Sequence, residues 1–149
     1  MAKFRFRLET YLRLKMAARD QCRADLAEVL RAEDQLKQHQ VDIEREMEEH
    51  NTYVRSVSQK GTLNVDLIAA SQNEFVFLKA LRQEKLNLMQ QLQPHIQQRR
   101  QALIDADHEV RTLERLKEQK HQQHQQWELA LEAKQMDEIA LGGFRRKGD

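Results

Sequence analysis

The sequence predicts an all-α fold: a long antiparallel two-helix coiled coil, or helical hairpin, with an overhanging C-terminal helix. Three observations predict this fold: turn-forming residues are scarce, apolar residues recur at heptad spacing, and the sequence has one central break. The 149 residues include four glycines and one proline, where average usage gives about ten and seven. Sheet folds need many turns, which are built largely from such residues. Because 40% of the residues are hydrophobic, the chain is too apolar for typical disorder, and long helices remain.

The glycines mark the expected boundaries of the helices. Gly61 can adopt the positive φ that ends a helix, and Thr62 or Asn64 can cap the next one. Gly142 and Gly143 form the second break. The sequence thus predicts a single elongated coiled-coil domain, 1–149, with approximate bounds of 6–58 for helix 1, 59–62 for the turn, 63–141 for helix 2 and 142–149 for a basic tail.

In both predicted helices, most residues at alternating spacings of three and four are apolar. Such a stripe is narrower than that of a globular helix and fits one partner helix. We call these positions the seam. In helix 1 the seam is 8, 15, 22, 29, 36, 43, 50 and 57 with 12, 19, 26, 33, 40, 47 and 54. In helix 2 it is 75, 82, 89, 96, 103, 110, 117, 124 and 131 with 78, 85, 92, 99, 106, 113, 120 and 127.

The two helices are unequal in length, so one should extend beyond the other. If the chain reverses at Lys60 and Gly61, Leu8 lies near Arg111, and helix 2 has no partner beyond about residue 116. Apolar residues on an unpaired helix end suggest a surface for another protein. The alternative is that this end folds back or dimerises. Its apolar residues are Leu116, Trp127, Leu129, Leu131, Met136, Ile139 and Leu141.

Pro94 interrupts the pattern of helix 2. Proline removes one backbone N–H and clashes with the preceding turn. No turn-forming residue flanks it, so we expect a kink. The alternative is a three-helix arrangement with a chain reversal at Pro94.

The composition argues against most chemical functions. A net charge of +1 provides no global attraction for nucleic acid or an anionic membrane, and no apolar run is long enough for a transmembrane segment. A lone Cys22 excludes an internal disulfide and suggests a reducing compartment such as the cytosol. His121 and His124 could touch one metal ion but lack further ligands at helical spacing. We predict a non-enzyme without cofactors, because phosphate loops and catalytic motifs are absent from the sequence.

The N-terminal stretch alternates basic and aromatic residues, as KFRFRLE. This pattern could bind phosphates and stack bases. The simpler interpretation is that Phe4 and Phe6 pack against helix 2 at the open end of the hairpin.

Motifs at both ends resemble the flagellar FliJ family. Lys3–Glu9, followed by Leu12 and Leu14, resembles the family's start. The family typically carries an E-x-L-K-E stretch and ends in E-x-K-x-x-D-E. Leu113–Glu118 and Glu132–Ala140 match these two patterns. The resemblance covers nearly the whole chain.

The resemblance implies a place in the bacterial flagellar type III protein export apparatus, and hence in motility and chemotaxis. Proteins of this family are antiparallel two-helix coiled coils similar to the central stalk of rotary ATP synthases. They promote the assembly and activity of the hexameric export ATPase, contact the cytoplasmic domain of the membrane export gate, and bind export chaperones. The resemblance implies a cytoplasmic protein, peripherally associated with the inner face of the cell membrane at the flagellar base.

The resemblance also implies two contact surfaces. The expected ATPase contact comprises Trp127, Leu131, Lys134, Met136, Asp137 and Glu138. The expected export-gate contact comprises Tyr53, Phe75 and Leu78. The competing interpretation is a generic structural or scaffolding coiled coil that acts as a dimer.

Overall fold

The fold is an all-α helical hairpin, as the sequence predicts. A computed structural model describes residues 2–59, 61 and 64–148. Helix α1 spans Glu9–Ser58 and helix α2 spans Val65–Lys147, with 50 and 83 residues. The two long helices pack against each other as a coiled coil. Within the described ranges, neither helix has a stretch apolar enough to cross a bilayer.

The chain divides into two compact units, and each pairs a stretch of α1 with a stretch of α2. Unit 1 comprises Met1–Gln21 and Ile104–Asp149, and unit 2 comprises Cys22–Leu103. The core of unit 1 consists of Leu12, Val110 and Leu113, against which Phe6 and Met16 pack. One core cluster of unit 2 consists of Ile43, Met47 and Leu78, against which Phe75 and Leu81 pack.

The buried residues follow the predicted seam. Of the helix 1 seam positions, Leu8 alone is exposed, and the others are buried or half-buried. The same holds for helix 2 between residues 75 and 124, with Arg99 and Lys120 as the exposed positions. Ile96 and Val110, at 1% and 0% exposure, are the most deeply buried seam side chains. Heptad spacing therefore predicted which residues form the core.

Ion pairs show the antiparallel register of unit 1. Lys15 Nζ lies 2.8 Å from Glu109 Oε2, and Lys117 Nζ lies 2.8 Å from Glu9 Oε2. Symmetry about residue 60 would have placed Lys15 opposite residue 105, so the predicted register is wrong by about one helical turn. The reversal is centred later than expected, because α1 ends at Ser58 and α2 begins only at Val65.

The charge of Lys15 is stabilised by its partner. The Glu109 carboxylate accepts a hydrogen bond from Lys15 and raises the pKa of Lys15 above its ordinary value. The contribution of this exposed pair to stability is therefore complete at neutral pH, and it is lost as the pH rises through the raised pKa.

Unit 2 has the same antiparallel arrangement. Arg99 Nη1 lies 3.5 Å from Asp25 Oδ2, and Arg82 Nη1 lies 3.3 Å from Glu44 Oε1. Between these pairs, the Gln93 amide donates a 3.1 Å hydrogen bond to Glu33. This hydrogen bond lowers the pKa of Glu33. The resulting stabilisation is present above the ordinary glutamate pKa and is lost as the pH falls through the lowered value.

The turn between the helices uses two of the residues that the sequence singled out. Gly61 has a φ of 74°, in the left-handed region that glycine adopts without strain. Asn64 caps α2, because its Oδ1 accepts a 3.1 Å hydrogen bond from the Asp66 backbone N–H. Thr62, the other candidate cap, lies outside the described residues, as does Lys60.

Both outer helix boundaries differ from the sequence prediction. Helix α1 begins at Glu9 rather than near residue 6, and residues 2–6 have no regular secondary structure. Helix α2 continues through Gly142 and Gly143 to Lys147, so the predicted end at 141 and the predicted tail are wrong. A helical glycine costs about 1 kcal/mol relative to alanine but does not forbid the helix. Arg145, Arg146 and Lys147 in the last turn favour the helix through its dipole.

Pro94 lies inside the continuous helix α2. The three-helix alternative, with a chain reversal at this proline, is therefore wrong. The surrounding helix formers and the seam contacts on either side outweigh the local cost of the proline, which is about 3 kcal/mol.

The burial of seam residues predicts how much each contributes to the free energy of unfolding. Ile96 is 1% exposed and Ile104 is 60% exposed, although both lie on α2. Ile96→Ala should lower the free energy of unfolding by about 2–4 kcal/mol, because it removes buried methyl groups and leaves a cavity. Ile104→Ala is the matched control and should change it by less than about 0.5 kcal/mol. Urea unfolding followed by circular dichroism measures both, and equal losses would contradict the predicted core.

Candidate protein-binding surfaces

The first candidate surface is the exposed C-terminal segment, residues 129–148 of α2. Every residue in this range is exposed. Several are large and apolar, with exposed fractions between 40% for Leu131 and 81% for Phe144. An isolated exposed leucine is ordinary, but a helical segment that exposes this many large apolar residues marks an interaction site. The others in the segment are Leu129, Met136, Ile139 and Leu141.

Most of these apolar residues lie on two sides of the helix, and Ile139 lies between them. One side, the seam face, continues the heptad spacing and carries Trp127, Leu131, Lys134, Glu138 and Leu141. The other side, the outer face, carries Leu129, Ala133, Met136, Ala140 and Phe144. Residues two positions apart on a helix are separated by about 200° around its axis, so the two faces are nearly opposite. The expected ATPase-contact residues are therefore divided, because Met136 does not share the face of Trp127 and Leu131.

Trp127 lies at the boundary between the covered and exposed parts of α2. It is 54% exposed, and its ring stacks on that of His124 with 5.8 Å between centroids. His124 Nε2 donates to the carbonyl oxygen of Ala2 at 3.1 Å and lies 3.3 Å from Glu128 Oε1. The neighbours of His124 are thus groups of the N-terminal segment and of α2.

The N-terminal segment, residues 2–8, covers part of α2 that was expected to be bare. The Phe4 ring meets the His121 ring edge-on with 5.0 Å between centroids. Phe6 packs against the core of unit 1, as the simpler interpretation of this segment predicts. The expectation that α2 lacks a partner beyond about residue 116 is therefore wrong, because the non-helical N-terminal segment contacts α2 beyond the point where α1 begins.

The second candidate surface lies on unit 2 beside the turn. Tyr53 is 52% exposed on α1. Phe75 is half-buried and stacks on the His50 ring at 6.2 Å, with Lys79 Nζ 4.9 Å from its centroid. Leu78 is 5% exposed and belongs to the core. Of the three expected gate-contact residues, Tyr53 and part of Phe75 are accessible to a partner.

Sequence reasoning missed three exposed apolar residues in the first part of α2, within unit 2. Val65, Val76 and Phe77 are 75%, 64% and 64% exposed. Their signal was present in the sequence, because all three are apolar but fall off the seam. A residue of this kind has no partner helix to cover it, so off-seam apolar residues mark an exposed surface in a two-helix protein.

The described residues offer no set of metal ligands. In the described ranges, no group of three or more His, Cys, Asp or Glu side chains is arranged to hold a metal ion. Grooves along the paired helices are open and lined by residues of both helices, such as Lys37, Val41 and Arg82. Protein–protein contact is the chemistry that the exposed side chains favour.

These features define an all-α helical hairpin whose core is one seam and whose exposed apolar residues are candidate docking surfaces. The family model described as Flagellar FliJ protein matches residues 4–149. The chain belongs to the flagellar FliJ family, and its role is related to flagellar export. Comparison with curated proteins and with solved structures found no match.

The packing of the N-terminal segment can be tested through Trp127, the single tryptophan of the chain. Phe4→Ala removes the ring contacts with His121 and His124. We expect the segment to detach and the fluorescence of Trp127 to become more easily quenched by acrylamide. Phe144→Ala is the control, because Phe144 is 81% exposed. Equal quenching in wild type and Phe4→Ala would contradict the described packing.

Proposed function

We propose that this protein is a non-enzymatic stalk component of the bacterial flagellar type III export apparatus. In this role it promotes the assembly and activity of the hexameric export ATPase and links the ATPase to the membrane export gate and to export chaperones. The observation that carries the proposal is the exposed C-terminal segment, with apolar side chains on opposite faces. Family membership supports the flagellar setting.

Two opposite apolar faces favour a partner that surrounds the helix. A flat partner surface or a single helix would cover the seam face or the outer face, and the other would stay in water. The inside of a protein ring can contact both faces at once. Burying one large apolar side chain contributes about 1.5–3 kcal/mol, so even partial burial of the six in this segment gives a substantial driving force.

The charged residues of the segment orient the helix relative to its partner. Lys134 and Glu138 lie on the seam face, and Asp137 lies between the two faces. Such exposed charges add little raw affinity, but they select the partner and fix the rotational position of the helix. A helix with charges and apolar groups distributed around it presents different chemistry to each subunit of a ring. Differential contact with subunits in different states is what lets a stalk bias an ATPase without chemistry of its own.

The surface beside the turn is the proposed contact with the cytoplasmic domain of the export gate. Tyr53 contributes a half-exposed aromatic ring, and Val76, which lines a groove together with Phe75, adds exposed apolar area. Aromatic residues often carry most of the binding energy of an interface. The proposed location is the cytoplasmic face of the membrane at the flagellar base, which follows from the proposed partners.

The ATPase contact can be tested by stimulation of ATP hydrolysis in the cognate export ATPase. We expect the double variant Leu131→Gln/Leu141→Gln to reduce stimulation at least tenfold, because it removes two apolar groups from the seam face while keeping helix propensity. The matched control is Leu86→Gln/Leu88→Gln, which alters two leucines of unit 2 with 40% and 39% exposure.

Deletion of residues 129–149 is the stronger version of this test. It leaves the contacts of Phe4, His121 and His124 in place, whereas a cut at Lys117 would remove them. Undiminished stimulation by the deletion variant would refute the ATPase contact. Light scattering of the free protein tests the alternative, because an obligate dimer joined through this segment would favour the scaffold.

The gate contact can be tested with two tyrosines. Tyr53 and Tyr11 are 52% and 46% exposed and lie in different units. Tyr53→Ala should weaken binding to the isolated cytoplasmic domain of the gate protein roughly tenfold, because it removes a central aromatic contact. Tyr11→Ala should leave this affinity unchanged. Isothermal titration calorimetry measures both, and equal effects would exclude Tyr53 as a specific contact.

A further inference from the structure

The N-terminal segment and α2 form a groove in unit 1 that adjoins the proposed ATPase contact at Trp127 but is separate from residues 129–148. The groove has a volume of about 780 Å³ and is lined by residues of both elements. Its basic lining residues are Lys3, Arg5, Arg7 and Lys120. We propose that this groove binds an acidic, amphipathic segment of a partner protein.

The first argument is that the basic side chains around the groove have no acidic partner among the described residues. Lys3, Arg5, Arg7 and Lys120 are exposed, and none of them forms an ion pair with another described residue. Elsewhere in unit 1, by contrast, Lys15 and Lys117 are paired with glutamates. Four unpaired cations around one groove create a positive potential in a chain whose net charge is only +1. Such a site is complementary to a ligand with several negative charges.

The second argument is the alternation of the N-terminal segment. Lys3, Arg5 and Arg7 are exposed, whereas Phe4 and Phe6 are half-buried. The alternation leaves the three cations accessible, while the Phe4 ring contacts His121 and Phe6 packs against the core of unit 1. A peptide with several carboxylates can pair with these accessible cations.

The third argument is the apolar floor, which selects among anionic partners. Leu8, Leu116 and Trp127 line the groove, and Leu8 and Trp127 are 37% and 54% exposed. A partner with both apolar and acidic side chains would cover this floor. Nucleic acid stacks successive bases on several free aromatic rings, but Phe4 and Phe6 pack inward and leave Trp127 as the exposed ring of the groove. A membrane would need apolar groups that protrude, whereas these line a concavity.

Trp127 makes the inference directly measurable. It is the single tryptophan of the chain and it lines the groove, so its emission reports occupancy. The probe is a short tryptophan-free peptide of alternating glutamate and leucine. We expect a saturable blue shift of Trp127 emission that weakens with salt. The same peptide with lysine in place of glutamate should cause no shift.

The specificity control uses two variants with the same change of charge. Lys3→Gln/Arg5→Gln/Arg7→Gln should weaken binding of the acidic peptide roughly tenfold, as expected for three partly screened charge contacts. Arg145→Gln/Arg146→Gln/Lys147→Gln also removes three cations from unit 1 and should leave binding unchanged. Circular dichroism verifies that both variants stay folded. Equal weakening by the two variants would overturn the proposal, because it would indicate unspecific attraction.

Two further outcomes would overturn it. One is the absence of a saturable Trp127 response up to about 1 mM acidic peptide, the weak limit of useful recognition. The other is tighter binding of oligodeoxythymidine, or of vesicles of phosphatidylserine and phosphatidylcholine, with the same dependence on Lys3, Arg5 and Arg7. The proposal does not rest on the ATPase contact. Its variants differ from those of the ATPase assay, so the two proposals can fail independently.

Discussion

The pairing of α1 and α2 along one narrow apolar seam is the interaction on which the other features depend. A two-helix structure has no second layer, so a side chain that is not on the seam is largely exposed. Stability therefore rests on a short set of residues, with Ile96 and Val110 buried most completely. Cross-helix contacts such as Lys15–Glu109 and Arg82–Glu44 join a basic residue on the seam of one helix to a glutamate beside the seam of the other. They are exposed and contribute little energy individually, but they disfavour a slipped pairing.

The same constraint explains where the docking surfaces lie. Because α2 is longer than α1, its seam continues after its partner helix has begun. The N-terminal segment covers the next part of α2 through Phe4, and residues 129–148 remain exposed. An apolar seam without a partner is unfavourable in water, so its retention points to a partner that covers it in the assembled state. The unpaired cations of the N-terminal segment provide a second, electrostatic attraction beside Trp127.

Much of the fold could be predicted from the sequence, because heptad spacing, Gly61 and Asn64 each act locally. The register could not be predicted, because it depends on the number of residues outside the helices at the turn. The packing of Phe4 and Phe6 against α2 was predicted, but the stretch of α2 that they cover was not, because the contact between Phe4 and His121 is long-range and no local pattern indicates it. The end of α2 was wrongly predicted at Gly142 and Gly143, because the low helix propensity of glycine can be outweighed by neighbouring residues. At the candidate surfaces, the exposure of Tyr53 and the burial of Leu78 could both be anticipated, because Tyr53 lies off the seam and Leu78 lies on it.

The central claim is that residues 129–148 are the part of the chain that a ring-forming export ATPase covers. Amide hydrogen exchange of the protein alone and in complex with the hexameric ATPase tests this most directly. In the free protein, the seam around Ile96 and Val110 should be protected and residues 129–148 should exchange fast, since exposed helical ends open easily. In the complex, exchange of residues 129–148 should slow by at least tenfold. Unchanged exchange there, in a complex shown to be intact by sedimentation, would contradict the account.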